Sequence, residues 1–305
     1  MADLSVTLFG KTLRNPVMNA SGTLGYGSEI EPLWRVDTLG AYVSKGLSFM
    51  PHHGNPPPRL WEEKSALINS VGLQNIGLKR FFSEVFPLFR ERQTPVIINF
   101  FGFTEEDYVR CAEGIGADEL IVALEINLSC PNIKEGGICL GKRAEGVFSI
   151  IRKVKAVTGL PLIAKLTPEV TDVVEIARAA FEAGAEGITV FNTFPAAAVD
   201  VERMSLPIRG GLSGPFLKSM ALRAVADITS AVPVPVIGTG GVMDDRDALA
   251  FLMAGATAVQ VGTATFVDPY AIPKIIRGID AYMNGHAIGR LNQIIGRSRA
   301  QDRAV

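Results

Sequence analysis

The sequence predicts an α/β protein folded as one (β/α)8 TIM barrel, with a short N-terminal hairpin and long loops over the C-terminal face of the barrel. Three observations predict it. A short apolar run, a polar exit and an amphipathic stretch recur eight times along the chain. The 305 residues, 48% of them hydrophobic, suit a single domain spanning 1–305. Glycine clusters follow the last two strands, where barrels habitually bind phosphate. A doubly wound sheet is the competing architecture, but it does not call for eight regular units, and its GxGxxG fingerprint is missing after the first strand.

The elements follow in order. Val6 to Phe9, Gly10-Lys11 and Thr12 to Arg14 read as the opening hairpin. Pro16 to Met18 is the first barrel strand, leaving through Asn19-Ala20-Ser21-Gly22 toward a helix near Glu29 to Val36. The next strands are Ala41 to Ser44, exiting at Lys45-Gly46; Val96 to Ile98, exiting at Asn99; Ile121 to Ile126, exiting at Asn127; and Leu162 to Ala164, exiting at Lys165. The last are Gly187 to Val190, exiting at Asn192-Thr193; Val234 to Ile237, exiting at Gly238-Thr239-Gly240-Gly241; and Ala258 to Val261, exiting at Gly262-Thr263. Apolar residues at three- and four-residue spacing mark helices over Ala144 to Val157, Val173 to Ala183, Pro215 to Ala231, Arg246 to Ala254 and Ala271 to Met283. Two connections, Leu47 to Asn75 and Thr193 to Gly214, are too long for turns and read as loops folded over the barrel mouth.

Composition excludes several classes of partner. Thirty basic against thirty-one acidic residues give a net charge of -1, so nothing argues for nucleic acid or an anionic membrane. The start, Met1-Ala2-Asp3-Leu4-Ser5, lacks a basic or apolar leader, and no window approaches the ~18 apolar residues of a membrane span. Cys111, Cys130 and Cys139 lack CxxC spacing and cannot all pair, which fits a reducing compartment, so a cytoplasmic location is expected. Adjacent His52 and His53 rarely aim at one ion, and no metal site is expected. Glu105-Glu106-Asp107 reads as an acidic helix start.

The chemistry concentrates at strand ends. Asn127-Leu128-Ser129-Cys130-Pro131-Asn132 leaves a buried strand with two carboxamides, a thiol and a stiffening proline, a set suited to a small polar ring. By itself the hexapeptide would equally suit an inert thiol between turn-capping asparagines. Gly238 to Gly241, ahead of a helix start near Asp244, and Gly262-Thr263 offer bare N–H groups and a helix N-terminus to a phosphate. One such cradle favours a mononucleotide such as FMN over a dinucleotide. A lysine at the inner rim of a barrel, as Lys45 and Lys165 would be, calls for an anionic partner; beside a flavin it would stabilise the reduced ring. Asn99, Asn127 and Asn192 add neutral donors and acceptors at three further strand ends.

Together these motifs resemble the class 1 dihydroorotate dehydrogenases, over essentially the whole chain: NLSCPN at Asn127 to Asn132, NSVGL at Asn69 to Leu73, GNPPPRL at Gly54 to Leu60, GLSG at Gly211 to Gly214 and GTGG at Gly238 to Gly241. Asn19 to Thr23 and Lys134 to Gly137 look like the NAD-linked (class 1B) type, a catalytic subunit, rather than the fumarate-linked one. The resemblance implies oxidation of (S)-dihydroorotate to orotate in de novo pyrimidine synthesis, with Cys130 as the base taking the C5 proton while hydride passes from C6 to flavin N5. It implies substrate positions at Lys45, Asn69, Ser70, Val71, Gly72, Leu73, Asn127, Asn192 and Thr193. It places one FMN per chain against Ser21, Lys45, Gly46, Asn99, Asn127, Lys165, Phe191, Gly214, Gly240, Gly241, Gly262 and Thr263. Phe191 departs from the aliphatic residue expected there, and the tail Arg297 to Arg303 is unusually basic. The NAD-linked type further implies a partner subunit carrying FAD and a 2Fe-2S cluster, around a homodimer core in a heterotetramer. The stretch Lys134 to Leu140 reads as a lid delivering Cys130. Rival readings are the fumarate-linked homodimer, an FMN reductase of free pyrimidines and a catalytically inactive FMN-binding barrel.

Overall fold

The computed structural model describes residues 2–128 and 140–298. Cys130, Cys139, most of the glycine-rich stretch after Cys130 and the basic tail from position 299 lie outside the described residues.

In chain order the strands are β1 Val6–Leu8, β2 Lys11–Leu13, β3 Val17–Asn19, β4 Tyr42–Val43, β5 Leu60–Glu63, β6 Ala66–Asn69, β7 Val96–Phe100, β8 Ile121–Asn127, β9 Leu162–Lys165, β10 Gly187–Val190, β11 Phe194–Asp200, β12 Ser205–Ser213, β13 Val236–Thr239 and β14 Ala258–Val261. β1 and β2 form the expected antiparallel hairpin. Among the described residues an eight-stranded parallel sheet runs β3-β14-β13-β10-β9-β8-β7-β4. A bridge between Met18 and Ala41, with the Gly40 N–H donating to the Val17 carbonyl at 2.8 Å, brings its two edges together into a barrel. The strands are buried along their whole length, which is why their sequences read as apolar runs rather than alternations.

The outer layer follows the helical periodicity. Its main members are α1 Gly77–Arg80, which continues through a π turn at Phe81–Val85 into α2 Phe86–Arg92, then α3 Glu105–Glu113, α4 Ala144–Lys155, α5 Val173–Glu182, α6 Lys218–Ala231, α7 Asp245–Ala254, α8 Ala264–Val267 and α9 Ala271–Gly285. Val147, Ile150, Ile151 and Val154 of α4 show the pattern, facing the barrel at three- and four-residue spacing. The acidic run forms the first turn of α3, as a helix start: the Thr104 side chain accepts from the Asp107 N–H, and Asp107 accepts from the Thr104 N–H.

Two expectations change. No helix forms near Glu29–Val36. The chain there makes turns, with the Leu33 N–H donating to the Ile30 carbonyl at 2.8 Å, before a single 3-10 turn at Val36–Thr38. Pro32 lacks an N–H and disfavours helical geometry at Glu31, so the run cannot propagate. The two long connections, expected as loops, instead contribute a second sheet. β11, β12, β6 and β5 pair antiparallel in that order, joining residues about 140 positions apart in sequence. A small core of Ile68, Ala198 and Ile208, with Trp61 against it, holds this sheet. The Cβ that any other residue would carry at position 210 would collide with the Asn69 carbonyl, so Gly210 is what permits the pairing.

Candidate active site

The C-terminal ends of the barrel strands and the inner edge of the second sheet enclose one cleft of ≈ 480 Å³. Its floor is built from strand ends. Ser21 lies just past β3, Lys45 and Gly46 just past β4, Asn99 on β7, Asn127 on β8 and Lys165 on β9, and all six line it. Phe191, Asn192 and Thr193 follow β10 and complete that side, the Val190–Phe191 peptide being cis. Gly240 and Gly241 close one end after β13, with Gly262 and Thr263 after β14. Asn69, Ser70, Val71, Gly72, Leu73 and Gly214 come from the second sheet and its turns. The candidate residues within the described chain are thus brought together; Cys130 is outside it.

The second sheet is fastened to the barrel at the site. Thr263 Oγ1, just past β14, donates to Ser213 Oγ of β12 at 2.8 Å, while within the sheet itself Asn69 Nδ2 of β6 donates to the Gly211 carbonyl of β12 at 2.9 Å.

Charge is distributed unevenly. The Lys45 ammonium is half-buried and lies 5.8 Å from the Tyr26 ring centroid. Burial lowers its pKa, and the neighbouring Arg59 charge adds to the effect. A cation desolvated this way favours a ligand anion. Lys165 is 6% exposed and sits against Glu125, which is fully buried. Asn99 Oδ1 and Asn192 Oδ1 are buried and have no hydrogen-bond partner among the described residues. Two orphan acceptors beside a cleft match a ligand that brings N–H groups.

At the end of the cleft where the sequence leads one to expect a phosphate, Gly240 and Gly241 hold φ of 113° and 82°. A Cβ at Gly241 would approach the Lys218 N to 2.6 Å, so only glycine lets the backbone run here. The helix N-terminus expected to help is already taken: Asp244 caps α7 by accepting from the Asp247 N–H at 2.9 Å, and Asp247 accepts from the Met243 N–H and from Lys218 Nζ. Loop N–H groups are what this end of the cleft leaves for a ligand. We expect Gly241→Ala to lower stability by about 1–3 kcal/mol through strain at a positive φ; urea denaturation of the ligand-free protein measures it, and an unchanged midpoint would refute it.

Sequence reasoning missed Glu125 and Gln260. Each is a polar residue inside an apolar strand, and such an interruption was the available signal. It also missed Arg209 and Asn55, which line the cleft from the second sheet and from the turn that precedes it.

A family model described as dihydroorotate dehydrogenase matches residues 3–283. The chain belongs to the dihydroorotate dehydrogenase family. It is 45% identical over 297 residues to the "Dihydroorotate dehydrogenase B (NAD(+)), catalytic subunit" of Geobacter sulfurreducens, covering 96% of this chain and 97% of that protein. The protein of the same name from Trichlorobacter lovleyi is 45% identical over 296 residues, again 96% of this chain and 97% of its relative. The resemblance carried by the motifs, including the NAD-linked type, is thus confirmed. The crystal structure of DHODH in complex with ferulenol from Eimeria tenella superposes with a TM-score of 0.79, covering 97% of this chain and 89% of that one; at 24% identity it supports the barrel fold alone. Among the described residues, no helix is long and apolar enough to cross a membrane.

Proposed function

We propose that the chain oxidises (S)-dihydroorotate to orotate on bound FMN, as the catalytic subunit of an assembly that passes the electrons to NAD through an iron-sulphur flavoprotein partner. The observation that carries this reading is the cleft itself, where a glycine-built phosphate cradle, a lysine on a buried carboxylate and orphaned amide acceptors surround one space of ring size.

The residues present fit FMN. The loop N–H groups at Gly240, Gly241 and Gly262 would hold the phosphate, and Lys165 with Asn99 would meet the polar edge of the ring. Ser21, Gly46, Phe191 and Gly214 would hem it with backbone, Gly214 in a conformation (φ 136°) that favours glycine. Bound FMN supplies a hydride acceptor. The dihydroorotate carboxylate would pair with Lys45, whose half-desolvated ammonium gains most from an anion. The amides of Asn69, Asn127 and Asn192 and the Thr193 hydroxyl would recognise the ring carbonyls and N–H groups, with the backbone of Ser70 to Leu73 closing over them.

Loss of the C5 proton requires a base. Cys111 is unsuited: it is buried and donates to the Phe101 carbonyl at 3.6 Å, and burial pushes its thiol up to about 12. Cys130 follows Asn127 by three residues, so the chain keeps it within about 11 Å of a residue lining the cleft. A thiol near ~8.5 needs only modest depression to work around neutral pH.

The test is anaerobic. Purified protein loaded with FMN should bleach on addition of dihydroorotate and recover colour with the partner subunit and NAD. No bleaching with FMN bound would refute the reaction, and recovery with fumarate alone would refute the NAD linkage.

A further inference from the structure

We infer that Glu125 is a positioning residue that sets the polarity of the cleft floor, turning Asn99 so that an acceptor faces the ligand ring and holding Lys165 as a half-compensated charge beneath it. The inference rests on the FMN reading above and deepens it.

Glu125 sits in the middle of β8 and is fully buried. Four donors meet its two oxygens. Oε1 accepts from Asn99 Nδ2 at 2.7 Å and Lys165 Nζ at 3.3 Å, while Oε2 accepts from Thr189 Oγ1 and Gln260 Nε2, both at 2.7 Å. A carboxylate offers about four lone-pair sites and no donor, so its capacity is filled. Every neighbour must therefore present a donor to it. For Asn99 this dictates the amide orientation: the NH2 turns to Glu125, and Oδ1 is left without a partner, 3.1 Å from where a Cβ on Gly46 would stand. Gln260 is fixed the same way, its Nε2 on Glu125 and its Oε1 accepting from Lys165 Nζ at 3.0 Å. One buried carboxylate thus decides which face of Asn99 a ligand meets, and it offsets part of the Lys165 charge.

Two effects separate positioning from mere support. In Glu125→Gln the negative charge disappears while the volume stays, so Lys165 acts on the ring less compensated. The preference for reduced over oxidised FMN should rise about tenfold, which for a two-electron couple is about 30 mV in midpoint potential. Thr189→Val keeps the charge and removes one donor, so the floor becomes more negative and the preference should fall about threefold. The second effect concerns orientation. Asn99→Ala should weaken binding of oxidised FMN in the wild type, and much less in Glu125→Gln, where the amide is free to turn.

The experiment measures midpoint potentials and affinities for oxidised and dithionite-reduced FMN, with denaturation of the ligand-free variants as a check on folding. Opposite shifts for the two variants, with non-additive Asn99 effects, support the inference. A purely structural role would weaken both redox forms alike, and an unchanged ratio in variants that still bind FMN overturns the inference while the proposed function stands. If Glu125→Gln does not fold, Thr189→Val decides by its sign, a rise or no change overturning the inference. Wild-type protein that binds no FMN overturns both.

Discussion

Replacing Cys130 by serine is expected to remove most turnover at neutral pH, by about 10²–10⁴-fold, with FMN still bound. The two halves of that result have separate causes. A serine hydroxyl has the size and reach of the thiol, but its proton is far harder to remove, so little of the basic form exists near pH 7. Hydride cannot leave C6 productively unless the C5 proton also finds an acceptor, and no thiol among the described residues replaces it. Cys111 cannot, since burial holds it near 12. Retention of FMN follows because the residues proposed to bind it come from other strand ends: Lys165 on β9, Gly240 and Gly241 after β13, and Gly262 and Thr263 after β14. Rate should return as pH rises, whereas a structural fault would leave it low throughout. Steady-state rates from pH 6 to 10, set beside the flavin absorbance of the purified variant, decide the matter, and a near-normal rate at pH 7 discards the base role.

The parts of this molecule that could be read from its sequence are those governed by local rules. Parallel strands buried on both faces announce themselves as apolar runs, and polar residues that end some of these runs line the cleft, as Lys165 and Asn127 do. The second sheet was hidden because its information is not local. β6 finds its partner β12 across more than a hundred residues, and Pro195 and Pro207 interrupt the alternation that marks a strand. The turns at Glu29–Val36 mimic a helix in composition, and only Pro32 warns otherwise. Glu125 was passed over for a different reason. One acid inside an apolar run reads as noise until the barrel closes and places Asn99, Thr189, Lys165 and Gln260, from four other strands, around it.

That closure makes Lys165→Ala the substitution with the largest expected effect on both stability and ligand retention. Lys165 is 6% exposed and Glu125 0%, and they are 3.3 Å apart. Removing one member of a buried ion pair leaves the other charge in a medium that solvates it poorly, which costs about 3–5 kcal/mol. Three neutral donors still reach Glu125, so the lower end of that range is expected. The ring then loses its cation while the carboxylate remains, and the preference for reduced FMN should fall by at least about tenfold, some 1.4 kcal/mol. This is opposite in sign to the shift expected for Glu125→Gln. The double variant isolates the cause: with Glu125→Gln already in place no buried charge is orphaned, so truncating Lys165 should destabilise far less than in the wild type. Urea denaturation of the four ligand-free proteins gives the coupling, and reductive titration with FMN gives the sign of the ligand effect. Additive losses of stability, or a preference for reduced FMN unmoved by Lys165→Ala, would show that these two charges do not act as a pair at the floor of the cleft.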